Sequence, residues 1–367
     1  MKLTRPARRD FLKVPFAASL AGAFAAAPPA ARAAVQKIDE YDPENTKIAT
    51  QINATASEDQ LLFLKQIGLR WVQVTFGQSA PYEVIKSTQE KFARFGLKIH
   101  CGIQESGYRT QKIQLGKPGR DEELEKFQTF IRDIGRAGIF CTKIDFHPGN
   151  TYTTKEIESP RGYKVREFNV DDFHKSVEKQ MFDRVYTADD IWANYTYFIK
   201  AILPVAEKAD VHLALHPDDP PTTASAMMNG VAKIFINYDG IRRADELVGK
   251  SKHWGLMLCV GTWSEGGQNM GKDTFGMIKD FGGRGKIFGV HFRNVSSPLP
   301  VFHETFQDDG YMDMYQVMKA FRQVKCGASL IPDHYPQIVN DPGHRIADTY
   351  SITYMRALLR RANEEVG

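Results

Sequence analysis

Residues 287–294 read Ile287-Phe288-Gly289-Val290-His291-Phe292-Arg293-Asn294, and residues 329–334 read Ser329-Leu330-Ile331-Pro332-Asp333-His334. Each is a short apolar run, the mark of a fully buried strand, that stops on a residue able to hold a metal. Two earlier stretches have the same form. Val211-His212-Leu213-Ala214-Leu215-His216 runs into Pro217, Asp218, Asp219 and Pro220, and Trp254-Gly255-Leu256-Met257-Leu258-Cys259 runs into Gly261. The terminators His216, Cys259, His291 and Asp333 are separated by 43, 32 and 42 residues. Each separation is about the length of one strand–helix unit with its loops. Parallel strands that carry a polar residue at the C-terminal end converge those side chains on one mouth, which is how a (β/α)₈ barrel builds an active site. Two imidazoles, a thiolate and a carboxylate suit a borderline divalent cation. Four unrelated structural roles would give no reason for the repeated placement.

Working outward, the same alternation fills the chain. Strands are predicted at 48–52, 71–76, 99–104, 140–146, 212–216, 256–259, 288–292 and 329–331. Helical patterns lie between them at 58–67, 82–95, 121–137, 188–209, 242–250, 272–281 and 314–324, and a last one at 345–363 closes the chain. Gly68, Gly96, Gly138 and Gly282-Gly283 stand where helices should end. Eight strand–helix units in order predict a single α/β domain, a (β/α)₈ TIM barrel over residues 34–367, and not a doubly wound sheet. The longest interruption, residues 148–185, follows the fourth strand and so emerges on the active-site face. A loop of that length is expected to be functional, as a solvated lid or an oligomer contact.

The 367 residues are 42% hydrophobic and 25% charged, ordinary for a globular enzyme. The net charge of +4 is misleading, because residues 1–33 hold Lys2, Arg5, Arg8, Arg9, Lys13 and Arg32 against Asp10 alone. Without that segment the charge is about −1, which leaves no basic surplus for nucleic acid or an anionic membrane. Arg8-Arg9-Asp10-Phe11-Leu12-Lys13 resembles a twin-arginine motif. It precedes a small, apolar stretch and Ala31-Arg32-Ala33, an A-x-A cleavage site. Residues 1–33 therefore read as an export signal, with the twin-arginine machinery as partner and the periplasm as destination. That route carries folded proteins, so Mn²⁺ or Fe²⁺ would be acquired in the cytosol, away from competing Zn²⁺ and Cu²⁺. Cys101, Cys141, Cys259 and Cys326 lie in or beside strands, not in a loop-rich framework, and are expected to be reduced.

Several stretches together resemble the mannonate dehydratase family of xylose-isomerase-like barrels. They are His216-Pro217-Asp218-Asp219-Pro220-Pro221, Cys259-Val260-Gly261-Thr262, His291-Phe292-Arg293-Asn294-Val295, Phe302-His303-Glu304, Gly310 with Asp313-Met314-Tyr315, and Pro332-Asp333-His334. The resemblance implies Mn²⁺, or Fe²⁺, Mg²⁺ or Zn²⁺ in its place, on His216, Cys259, His291 and Asp333. It also implies elimination of water from an aldonic acid, D-mannonate to 2-keto-3-deoxy-D-gluconate. Removing the proton next to a carboxylate requires stabilisation of the enediolate that develops, and a cation and an arginine supply it. Arg293, two residues past a ligand, is expected on the same side as His291 and able to clamp the carboxylate. His334 is the first candidate for acid or base, with His303 and Glu304 as further ones. Where the family carries a histidine and a tyrosine, this chain has Gln307 and His344, so His344 or Tyr335 is expected to cover proton transfer. Two other readings use much of the same chemistry: a sugar isomerase or epimerase, and a non-catalytic periplasmic binder of acidic sugars. Any homo-oligomer would use the barrel helices.

Overall fold

Alternating apolar runs and amphipathic segments leave few ways to bury both, and this chain takes the closed one. The computed structural model describes residues 39–148, 153–176, 182–222, 227–228 and 230–366, which belong to one unit, Lys37–Gly367. The export signal read at 1–33 lies outside the described residues.

Its strands are β1 (Lys47–Asn53), β2 (Trp71–Phe76), β3 (Lys98–Gln104), β4 (Cys141–Ile144), β5 (Lys155–Glu158), β6 (Lys164–Asn169), β7 (His212–Leu215), β8 (Met227–Met228), β9 (Val231–Ala232), β10 (Trp254–Cys259), β11 (Ile287–His291), β12 (Asn294–Val295), β13 (Val301–Thr305) and β14 (Ser329–Ile331). Strands β1, β2, β3, β4, β7, β10, β11 and β14 close a parallel barrel in that order, β14 pairing back onto β1. These are the eight runs of the sequence. β10 and β11 are buried at every residue, as strands between an inner core and an outer helix layer must be. Cys101, Ile103, Cys141, Ala214, Met257 and Phe288 form the inner cluster. Below them Gln73 and His100 both bond the Ser329 hydroxyl, at 3.1 and 2.9 Å.

The helices form where pattern and cap agree. Ala188–Ala209 starts on a capping box between Thr187 and Asp190. It turns Ile191, Trp192, Tyr195, Phe198, Ile199, Ile202 and Ala206 inward, a helical spacing. Glu58–Gln66 starts on a matching Ser57–Gln60 box. The pattern at 272–281 divides into a short α-helix, Thr274–Met277, and a π-turn, Ile278–Gly282. Among the described residues no helix is long and apolar enough to cross a membrane.

The interruption after β4 departs most from expectation. Its hairpin, β5 with β6, pairs antiparallel with β13, which pairs with β12. The result is a four-stranded sheet after β4 and β11, at the barrel's C-terminal end, with Phe168, Phe173, Val295 and Phe302 as its own small core. The described residues of the segment thus build a sheet over this end of the barrel, not an irregular loop. All four cysteines are free and buried.

Candidate metal centre and active site

The C-terminal ends of β7, β10 and β11 deliver His216, Cys259 and His291 to one place. One donor atom from each lies within 4.8 Å of the others. His216 Nδ1 is 2.6 Å from the Pro217 carbonyl, which can only accept, so the hydrogen sits on Nδ1 and the Nε2 lone pair faces the cluster. That Nε2 is 3.1 Å from His291 Nδ1. Two nitrogens about 2.1 Å from a common tetrahedral ion stand about 3.4 Å apart, so the observed approach suits shared ligation. His291 Nε2 is buried with no partner among the described residues. Burial pushes the Cys259 thiol up, but the charges of Arg293 and His291 outweigh it and the thiol is held below its ordinary value. Two imidazoles and a readily ionised thiol fit a divalent cation.

The fourth expected ligand, Asp333, stands beside these three. Its Oδ2 is 3.1 Å from His291 Nδ1 and 3.6 Å from Arg293 Nε. Burial opposes its ionisation, yet His291 and His334 hold its carboxyl well below the usual range. Asp333 sits at φ 62°, a left-handed backbone that Asp tolerates better than most non-glycine residues. It turns the chain directly after β14 and lets Asp333 and His334 both line one cavity.

Arg293 departs from expectation. It is 1% exposed and does not line the cavity. Its Nη1 donates to Glu265 at 2.6 Å and its Nη2 to Asp219 at 2.7 Å, with Thr262 Oγ1 at 3.3 Å and Cys259 Sγ at 3.6 Å. The clamp read from the sequence is therefore corrected: a guanidinium with two buried carboxylates is not free for a third. The parity argument fails because β11 ends at His291 and the chain bends. Gly261 makes room for the guanidinium, since a Cβ there would meet Arg293 Nε at 2.5 Å and Cζ at 2.6 Å. The neighbouring motif residues are equally committed. Asp218 accepts from the Ile234 and Phe235 N–H groups, and Asn294 ties down residues 307–312 through Gln307 O, Met312 O and Met312 N–H.

The cavity, about 510 Å³, takes in Thr50, Arg109, Lys143, His147, His216, Asp219, His291, Asp333, His334 and Tyr335. His334 donates from Nδ1 to Glu304 at 2.7 Å, which leaves Nε2 for a bound molecule. Glu304 also receives Arg166 from the β5–β6 hairpin, so it positions His334 and does not itself face the main cavity. Burial works against the His334 imidazolium, but Asp333 and Glu304 outweigh it and raise its pKa. The Tyr335 hydroxyl donates to Asp348 at 2.7 Å, and burial with that carboxylate keeps the phenol protonated.

Two expected residues are corrected by position. His303 neighbours Glu304 on β13, and strand alternation turns it to the opposite face, outside the cavity. His344 is exposed at φ 58° and borders only a shallower recess beside Tyr335 and Glu304. Gln307 is buried and donates to Phe292 O. The sequence reading did not single out Arg109, Lys143, Asp145 and His147. β4 stops at Ile144, two residues earlier than its apolar run suggests, so Asp145 and His147 stand just past a strand end, where the candidate ligands also stand.

The family model described as D-mannonate dehydratase (UxuA) matches residues 170–365. The mannonate dehydratase of Streptococcus pneumoniae (strain 70585) is 30% identical over 316 residues, covering 78% of this chain and 84% of that protein. The chain belongs to the mannonate dehydratase family. The crystal structure of mannonate dehydratase from Streptococcus suis serotype 2 superposes with a TM-score of 0.75 at 26% identity, over 88% of this chain and 96% of that one. A xylose-isomerase-like TIM barrel protein from Mycobacterium smegmatis shares the fold at a TM-score of 0.56 and 11% identity, over 88% and 99% of the two chains. The family's barrel and its possible His/Cys metal site are thus both present here.

Two variants test this centre. Cys259→Ala should lose most bound divalent metal, measured by elemental analysis, while circular dichroism stays native; full metal content would remove Cys259 from the ligand set. Gly261→Ala should lower stability by about 1–3 kcal/mol in urea unfolding, since pinned Arg293 cannot yield to the added methyl. Unchanged stability would show that the guanidinium is free to move.

Proposed function

We propose that this chain, a hydro-lyase by its family, dehydrates D-mannonate to 2-keto-3-deoxy-D-gluconate with a divalent cation, Mn²⁺ foremost, on His216, Cys259, His291 and Asp333. The observation that carries this reading is the convergence of His216, Cys259 and His291 beside a cavity that also presents the His334–Glu304 pair. When bound, the cation supplies Lewis-acid stabilisation of negative charge on substrate oxygens.

The remaining work falls to side chains. The C2 proton and the C3 hydroxyl leave together as water, and the enol left behind becomes the 2-keto acid. His334 exchanges a proton at Nε2, its other nitrogen being held by Glu304 so that the ring cannot rotate. Tyr335, its one O–H donated to Asp348, presents its hydroxyl oxygen as an acceptor at the same wall. The four-stranded sheet contributes through Arg166, whose fork on Glu304 fixes the carboxylate that fixes His334. The N-terminal reading belongs to the same proposal: the protein folds around its metal and is exported by the twin-arginine route to the periplasm.

Metal-reconstituted protein should convert D-mannonate to a 2-keto-3-deoxy acid, detected by its periodate–thiobarbiturate product, and lose this on chelation. His334→Gln should keep its metal and lower kcat by about 10²- to 10⁴-fold. Turnover undiminished in that variant would remove His334 from the mechanism. A wild-type enzyme that interconverts sugars without releasing the keto acid would favour the isomerase reading.

A further inference from the structure

With Arg293 closed off, the cavity's cations can be taken in turn. Arg109 lies on Asp145, with Nε 2.9 Å from both carboxylate oxygens. His147 stands between Asp145 and Asp218, at 3.7 and 3.4 Å. His334 is held by Glu304, and His216 and His291 face each other in the metal centre. Lys143 remains. Among the described residues its ammonium has no hydrogen bond and no ion pair.

Its place on β4 is informative. Lys143 pairs in register with Ala214 on β7, and Cys141, two residues earlier, belongs with Ala214 to the barrel's inner cluster. Strand alternation therefore points Lys143 into the barrel, one layer below His216, which follows Ala214 by two residues. That layer is about 6.6 Å deep at 3.3 Å per residue, and a four-carbon stem spans most of it. The ammonium thus rises from the floor of the cavity toward the metal centre. The ammonium is half-buried, lines the cavity and has no hydrogen-bond partner among the described residues, so its donors are open to an anion that enters.

We propose that Lys143 receives the carboxylate of the aldonate substrate and gives this site its preference for sugar acids over neutral sugars. The proposal rests on the dehydratase reading, yet it can fail separately. The lysine places a compact positive charge at one end of the substrate, and the metal centre and His334 lie along the cavity from it. The carbon next to the carboxylate, from which the proton leaves, then falls between them.

The test uses full-length metal-loaded protein, wild type and the variants Lys143→Met and Lys143→Arg, with thermal unfolding and metal content confirming fold and site. Affinity for D-mannonate and for its neutral amide, D-mannonamide, is measured by calorimetry. Wild type should favour the acid. Lys143→Met should lose that preference through an increase of about 10- to 100-fold in Kd for the acid alone, the amide being little affected, and Lys143→Arg should recover part of it. In turnover, Lys143→Met should raise KM more than it lowers kcat. If Lys143→Met binds acid and amide in the wild-type ratio, the proposal is overturned while the dehydratase reading stands. If wild type prefers the acid through Lys143 but releases no keto acid from D-mannonate, the dehydratase reading falls and the carboxylate site stands.

Discussion

A single buried guanidinium ties the active-site end of this barrel together. Arg293 leaves the end of β11 and bonds Asp219 after β7, Glu265 in the helix that follows β10, and Thr262 in the same helix, with Cys259 and Asp333 beside it. A charge taken fully out of water is tolerated only when partners replace its hydration, and removing one partner of such a group costs about 3–5 kcal/mol. The ends of β7, β10, β11 and β14 are therefore fixed relative to one another through one residue. The candidate ligands His216, Cys259, His291 and Asp333 sit at those ends. Their spacing depends on the guanidinium, and the guanidinium depends on the absence of a side chain at Gly261.

The same charge tunes the centre. Burial alone would leave Cys259 a thiol, and it is Arg293 and His291 that turn the balance toward the thiolate a metal requires. Outside this layer lies the four-stranded sheet, whose Arg166 holds Glu304, which in turn holds His334. The fold thus separates two tasks. Barrel strand ends hold the candidate ligands, and the antiparallel sheet grown from the loops orients His334.

Most of the barrel was legible, because a doubly covered parallel strand announces itself as an apolar run and a helix cap as Ser, Thr or Asp before a periodic segment. The clustering of His216, Cys259 and His291 was legible for the same reason, each residue being the polar stop of such a run. The four-stranded sheet was not. Lys155–Glu158 is charged and mostly exposed, and Lys164–Asn169 finds its partner in Val301–Thr305, more than 130 residues away, through pairing that no local pattern records. Arg293 was found but misassigned, since alternation holds only while the strand continues. Lys143 was hidden by its setting: within Cys141-Thr142-Lys143-Ile144 it reads as a polar face, and only closure of the barrel shows that this face is the inside.

X-ray absorption at the edge of the bound metal tests, without a mutation, whether Cys259 and the two histidines share one ion. The expected first shell holds one sulfur, at about 2.3 Å if the ion is Zn²⁺, with imidazole scattering from two histidines. A shell of nitrogen and oxygen alone would contradict it and leave Cys259 as no more than a helix cap that accepts from the Thr262 N–H group.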